Sequence, residues 1–139
     1  MDKKKIIGQA EQRWDAIAKV KGQASYTGDF PIRNLLHAKI LRATIAHGYV
    51  KHYDITEAEK MPGVVKVVLP EDIPAIPYAT AGHPWNLTPE KRDIEDRNML
   101  TRHVRVYGDD IAAIIAKTEF QAQKALAKIK VDYDVYPVY

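Results

Sequence analysis

The chain has 139 residues, 46% hydrophobic and 28% charged, enough for one domain with a buried core. Its formal charge of +3, partly held in Lys3, Lys4 and Lys5, is too small and too scattered for a nucleic-acid footprint. With no cysteine there is no disulfide framework, thiolate ligand or thiol nucleophile, and the default compartment is cytoplasmic.

Residues 1–12 read as a solvated N-terminal arm, because Ile6 to Glu11 is too short and polar for a signal segment or a membrane span. Residues 13–139 are expected to form one domain. Leu36, Ala38 and Ile40 alternate with His37, Lys39 and Leu41, which predicts a strand with the first three on its apolar face. After a turn over 42–46, His47 to Ile55 reads as a second strand, expected to form a hairpin or a crossed pair with the first. Thr56 then offers a helix cap, Glu59 reaches back to it, and Pro62-Gly63 stops the helix. Val64 to Leu69 is β-branched and dense enough for a buried strand.

Residues 70–101 carry five prolines (Pro70, Pro74, Pro77, Pro84 and Pro89) and no sustained period. A loop of this length serves function, packs on a neighbour or is disordered. Tyr78, His83 and Trp85 in it would line a ligand cleft or cover an apolar neighbour, the second being favoured. Glu90 to Arg97 mixes charge signs as a solvated surface does. Val104, Val106 and Tyr107 suggest a short strand before a turn at Gly108-Asp109-Asp110. Ile111 to Ala116 reads as a buried strand, and Thr118 with Gln121 as a capping box. The following helix buries Ala122, Ala125, Leu126 and Ile129 and turns Gln121, Gln123, Lys124 and Lys128 to water. Val131, Tyr133 and Val135 alternate with Asp132 and Asp134 as a one-sided strand. The expected class is therefore α+β: two strand-helix-strand units joined by the long Pro-rich loop, with Ile40, Val65, Val67, Ile114, Leu126 and Ile129 in the core.

The histidines His37, His47, His52, His83 and His103 stand in no metal-ligand spacing. His47 and His52 are expected on opposite faces of their strand. Asp109 and Asp110 form either a paired-carboxylate site or, preferred here, a plain turn. Asp132 and Asp134 read as solubilising. No phosphate loop, dinucleotide fingerprint or nucleophile elbow is present. No catalytic, cofactor-binding or metal-binding residue is thus assigned to this chain. The apolar, extended Tyr136-Pro137-Val138-Tyr139 resembles a linker cut before a further domain, so a truncated fragment is expected. The alternative is a free-standing module that binds protein or RNA through the basic arm and the loop.

A succession of short motifs resembles one family. It runs through Arg13-Trp14-Asp15-Ala16, Lys19 to Asp29, Leu36 to Arg42, Ala46-His47, Ile55, Ala58, Pro62-Gly63-Val64 and Glu71-Asp72-Ile73-Pro74. It continues in Tyr107-Gly108-Asp109 with Ile111-Ala112-Ala113, and ends on Val131-Asp132-Tyr133 and Pro137. In this order and spacing the chain, from about Gly8 to Tyr139, is similar to the α/β hammerhead domain of the molybdenum-binding large subunit in the xanthine dehydrogenase and aldehyde oxidase family. The resemblance implies a non-catalytic structural domain of a molybdenum hydroxylase that oxidises a purine, another heterocycle or an aldehyde with oxygen from water. It implies molybdopterin, iron-sulfur clusters and often FAD in the complete enzyme, on the remaining domains of the subunit and on partner subunits or domains, with none in this chain. Two departures stand out: Arg42-Ala43-Thr44 replaces the family's Arg-Ser-Pro, and Gly108-Asp109-Asp110-Ile111 replaces Gly-Gln-Pro-Val. The second form is also seen in bacterial members and leaves purines, aldehydes and aromatic thioesters open as substrates.

Overall fold

The computed structural model describes residues 7–8, 10–80, 88, 90 and 92–138. The chain divides into two compact units, 1–33 and 34–139, and the arm boundary expected after residue 12 falls inside the first. That unit holds one short helix, α1 (Ala16–Val20). Asp15 at its start pairs with Lys19 one turn on, at 2.5 Å, and with Arg13 at 3.1 Å. The helix buries no residue, and Trp14, Ile17 and Val20 are exposed.

The second unit contains two three-stranded antiparallel sheets. The first has the order β1-β5-β3, with β1 at His37–Arg42, β5 at Asp110–Ala116 and β3 at Val64–Val68. The second has the order β4-β2-β6, with β4 at His103–Val104, β2 at Gly48–Asp54 and β6 at Lys130–Val135. Helix α2 (Thr56–Glu59) joins β2 to β3, and α3 (Glu119–Leu126) joins β5 to β6. The α+β class and both strand-helix-strand units are as expected. Each unit, however, begins in one sheet and ends in the other. The units then interlock, β3 pairing with β5 and β2 with β6.

This interlocking corrects the expected pairing of the first two strands. β1 lies against β5, and β2 lies between β4 and β6. The face of β1 is also inverted. His37, Lys39 and Leu41 are the half-buried set, while Ala38 and Ile40 are exposed. The cause is α3, which packs over the face of β1 that carries Lys39, and Glu119 pairs with Lys39 at 2.5 Å. Lys39 can lie on a helix-covered face because its stem packs while its ammonium reaches the rim. Val65 is likewise 52% exposed instead of core. The register between β3 and β5 slips between Val64 and Lys66, so Val65 is the extra residue of a bulge, turned outward.

The core contains Val50, Tyr53, Val67, Val104, Ile111, Ala112, Ile114, Ala122, Ala125 and Ile129. Val67, Ile114 and Ile129 thus lie where expected, and Leu126 is partly buried against them. The predicted stripe of α3 holds for the same reason as any amphipathic helix: its three- and four-residue spacing puts those side chains over one sheet face. Its cap is only half of the expected box. The Thr118 hydroxyl accepts from the Gln121 amide at 3.2 Å, but the Gln121 side chain turns instead onto Gly63. At α2 the first free amide, that of Thr56, donates to the Asp54 carboxylate at 3.2 Å, so the acid two residues earlier takes the role expected of Thr56. The strand expected over 104–107 is shorter: β4 ends at Val104, and Val106 and Tyr107 are exposed.

Candidate functional site: the Asp109 cleft

The turn entering β5 gathers a buried, multiply bonded carboxylate. Gly108 has φ +93°, a left-handed conformation suited to glycine, and its amide donates to the Ala43 carbonyl at 3.0 Å. The chain then runs into β5 with Asp109 buried, only 7% exposed. The Asp109 carboxylate accepts from the amides of Arg105 (2.7 Å) and Val106 (3.1 Å) and from Arg97 Nη1 (2.5 Å). Burial is the largest single influence on its acidity and opposes ionisation. The two amides and the Arg97 guanidinium together outweigh it and hold the carboxyl below its ordinary range. Asp109 is therefore an ionised anchor, more than the plain turn residue expected, and not one half of a proton-sharing pair.

Its neighbour has a different environment. Asp110 Oδ1 is buried and accepts no hydrogen bond. It lies 3.3 Å from Arg42 Nη1, close enough for attraction but not aligned for a hydrogen bond. Arg42 is 65% exposed, and its Nη1 is aligned instead on the Gly108 carbonyl at 3.2 Å.

Arg97 carries the end of the Pro-rich segment to this turn. Its backbone exchanges two hydrogen bonds with Tyr78, at 2.8 and 3.2 Å. Arg105 turns back to the Asp96 carboxylate at 3.2 Å and also to the Asp96 carbonyl. Between these groups lies a cleft of about 300 Å³ lined in part by Arg42, Tyr78, Thr80, Arg97, Arg105 and Asp109. His83 and Trp85 lie outside the described residues, so of the three aromatic candidates only Tyr78 is placed.

A second polar knot joins the same segment to the second sheet. Arg102 binds the Glu71 carboxylate, donates to the Val50 carbonyl at 2.9 Å and stands 4.7 Å from the Tyr53 ring centre. Its hydrogen bond holds the Glu71 carboxyl below the ordinary range. Tyr53 donates its hydroxyl to the Ile111 carbonyl at 2.8 Å, tying β2 to β5, and burial pushes the phenol pKa up.

The histidines are dispersed. His47 faces Pro137 O at 3.1 Å and lies edge-on to Tyr136, with His103 at a ring distance of 6.0 Å. His37 is half-buried on β1 and His52 exposed on β2. The expected opposition of His47 and His52 does not apply in simple form, since His47 precedes β2 and the register shifts between Val50 and His52. Asp132 and Asp134 are exposed, and Asp134 pairs with Lys51 at 3.6 Å. Among the described residues no three His, Asp or Glu side chains stand together, and the chain has no thiolate to offer. Iron-sulfur clusters are held by cysteine thiolates, so the residues of this chain do not fit a cluster's ligand sphere. Sequence reasoning missed Arg97, Arg102 and Arg105. One signal was available: an Asp three and four residues after two turn amides is placed to accept from both.

Residues 21–137 match the family described as aldehyde oxidase and xanthine dehydrogenase, a/b hammerhead domain. The chain belongs to that family. It is 45% identical over 126 residues to the xanthine dehydrogenase molybdenum-binding subunit of Escherichia coli O157:H7, covering 91% of this chain and 17% of that protein. It is 34% identical over 141 residues to the aldehyde oxidoreductase of Megalodesulfovibrio gigas, covering 97% of this chain and 15% of that one. Among solved structures, the aldehyde oxidoreductase of Desulfovibrio desulfuricans superposes with a TM-score of 0.80 at 34% identity, over 96% of this chain and 15% of the other. Hammerhead membership accounts for the two interlocked sheets. The chain spans less than a fifth of the length of these relatives. Among the described residues no helix is long and apolar enough to cross a membrane.

Proposed function

We propose that this chain is the non-catalytic structural domain of a cytoplasmic, xanthine dehydrogenase-like molybdenum hydroxylase, one that oxidises a purine, another heterocycle or an aldehyde with oxygen taken from water. In this reading the chain is a fragment, inactive alone. Molybdopterin, iron-sulfur clusters and FAD where present belong to the remaining domains and to partner subunits, which this domain packs against. No residue here is assigned a catalytic, cofactor-binding or metal-binding role.

The likeness to the xanthine dehydrogenase molybdenum-binding subunit along nearly the whole chain carries this reading. The uncovered face of the first sheet supports it. Register puts Ala38, Ile40, Ala113, Ile115 and Val68 on that face, with the exposed Lys66 opposite Ile115; it lies opposite the face α3 packs on, and Ile40 is 42% exposed. A sheet face that is apolar apart from one lysine is normally covered.

Metal and pterin analysis of the purified 139-residue chain tests the reading: neither should be present, and stoichiometric molybdenum or pterin would overturn it. Sequencing the adjacent coding region separates it from a free-standing module. A reading frame continuing for several hundred residues is expected, and a natural stop after Tyr139 would count against it.

A further inference from the structure

Beyond that reading, which gives no residue a metal role in the reaction, we propose that His47 and His103 form a two-imidazole site for a borderline divalent cation such as zinc. The register of the second sheet brings the two together. Tyr49 stands opposite His103 and Gly48 opposite Val104. His47, just before β2, and His103 on β4 are therefore diagonal neighbours on one face, within reach of each other's rings. That face is the outer one, because Val50 and Val104 of the alternate set are buried. The ring centres are 6.0 Å apart and the planes are tilted by 41°. A cation bound to one nitrogen of each ring at about 2.0–2.1 Å holds the ring centres about 5–6 Å apart. A small rotation of the exposed His103 side chain completes that geometry.

A lone pair is also in place. His47 Nδ1 is 3.1 Å from the Pro137 carbonyl. A carbonyl only accepts, so Nδ1 carries the ring proton and Nε2 of the neutral ring keeps its lone pair. Ligating imidazoles are held in this way, the second nitrogen donating to a carbonyl or carboxylate. The Tyr136 ring, edge-on at 5.3 Å, also packs on His47. Among the described residues neither His47 Nε2 nor either ring nitrogen of His103 makes a hydrogen bond. The basic residues that flank the pair in register are each matched by an acid: Arg102 by Glu71, Arg105 by Asp96 and Lys51 by Asp134. No third His, Asp or Glu among the described residues joins the pair, so water fills the remaining positions. Imidazole donors suit zinc, nickel or copper, whereas magnesium and calcium need oxygen. The bound cation would fasten the start of β2 to β4 and, through Tyr136 and Pro137, to the segment after β6.

The test is calorimetric titration of the 139-residue chain with zinc chloride and, in parallel, with magnesium chloride at the same ionic strength. Saturable binding of zinc is expected, and none of magnesium. Zinc should shift the ring-proton resonances of His47 and His103 and leave those of His52 in place. It should also raise the melting temperature, as a ligand of the folded state does. His47→Gln and His103→Gln should each weaken zinc binding by at least about tenfold, a loss that even a change in a ligand's outer partner produces. His52→Gln should leave it unchanged. His103 is exposed and its ring makes no hydrogen bond among the described residues, so its variant keeps the fold, which amide dispersion checks in each protein. Zinc affinity that survives His103→Gln, equal affinity for magnesium, or the absence of saturable zinc binding overturns the proposal.

Discussion

Arg97 Nη1 donates to Asp109 Oδ1 across 2.5 Å, joining the end of the Pro-rich segment to the turn that enters β5. Arg97 is 32% exposed and Asp109 6% at the side chain, so the pair is screened far less than a surface ion pair. Removing one partner leaves the other charge without its complement. Asp109→Asn should therefore destabilise the domain by about 2–4 kcal/mol, measured by urea unfolding. Arg97→Met should cost less, since the two backbone amides still satisfy the carboxylate.

The same carboxylate sets a pH limit. Its folded pKa lies below the unfolded value, so the stability it contributes is present above about pH 4 and is lost as pH falls through the folded pKa. Wild-type stability should decline on acidification below about pH 4, and the decline should be shallower in Asp109→Asn. Equal slopes in the two proteins would show that other carboxylates govern acid unfolding.

Tyr53 gives the converse case at high pH. Its folded pKa is raised, chiefly by burial, so its contribution is intact below about pH 10 and is lost as pH rises beyond that. Tyr53→Phe should remove this alkaline sensitivity. It should also cost about 1–2 kcal/mol near neutrality, because the Ile111 carbonyl loses its buried donor.

Gly63 has φ +86°, and a Cβ there would overlap the Gln121 side-chain amide. Gly63→Ala should destabilise by about 1–2 kcal/mol, part from the left-handed backbone and part from the clash. Adding Gln121→Ala should recover only the second part. Full recovery in a thermal melt would mean that the backbone conformation is not constraining.

The core can be ranked by truncation. Ile114→Ala, at a fully buried position, should cost about 3–5 kcal/mol. Leu126→Ala, at a half-buried one, should cost about 1–2 kcal/mol. Ile40→Ala should be within about 0.5 kcal/mol of wild type in this chain, since its side chain lies on the uncovered face.

The sequence by itself determined the elements that rest on local chemistry. Thr118 marks the start of α3, the three- and four-residue spacing of Ala122, Ala125 and Ile129 marks its buried face, and Pro62-Gly63 ends α2. The ordered run of short motifs was also enough to indicate the family. Tertiary structure alone decided which strands pair, because alternation fixes a strand's two faces but names neither its partner nor the face that is covered. Hence Ile40 is apolar yet exposed, while Lys39 lies beneath α3, and the bulge at Val65 turns a β-branched residue outward. The Asp109 cleft was illegible for the same reason. Arg42, Arg97 and Asp109 are brought together by a loop closing over a sheet end, and no local pattern records a contact made at such a distance along the chain.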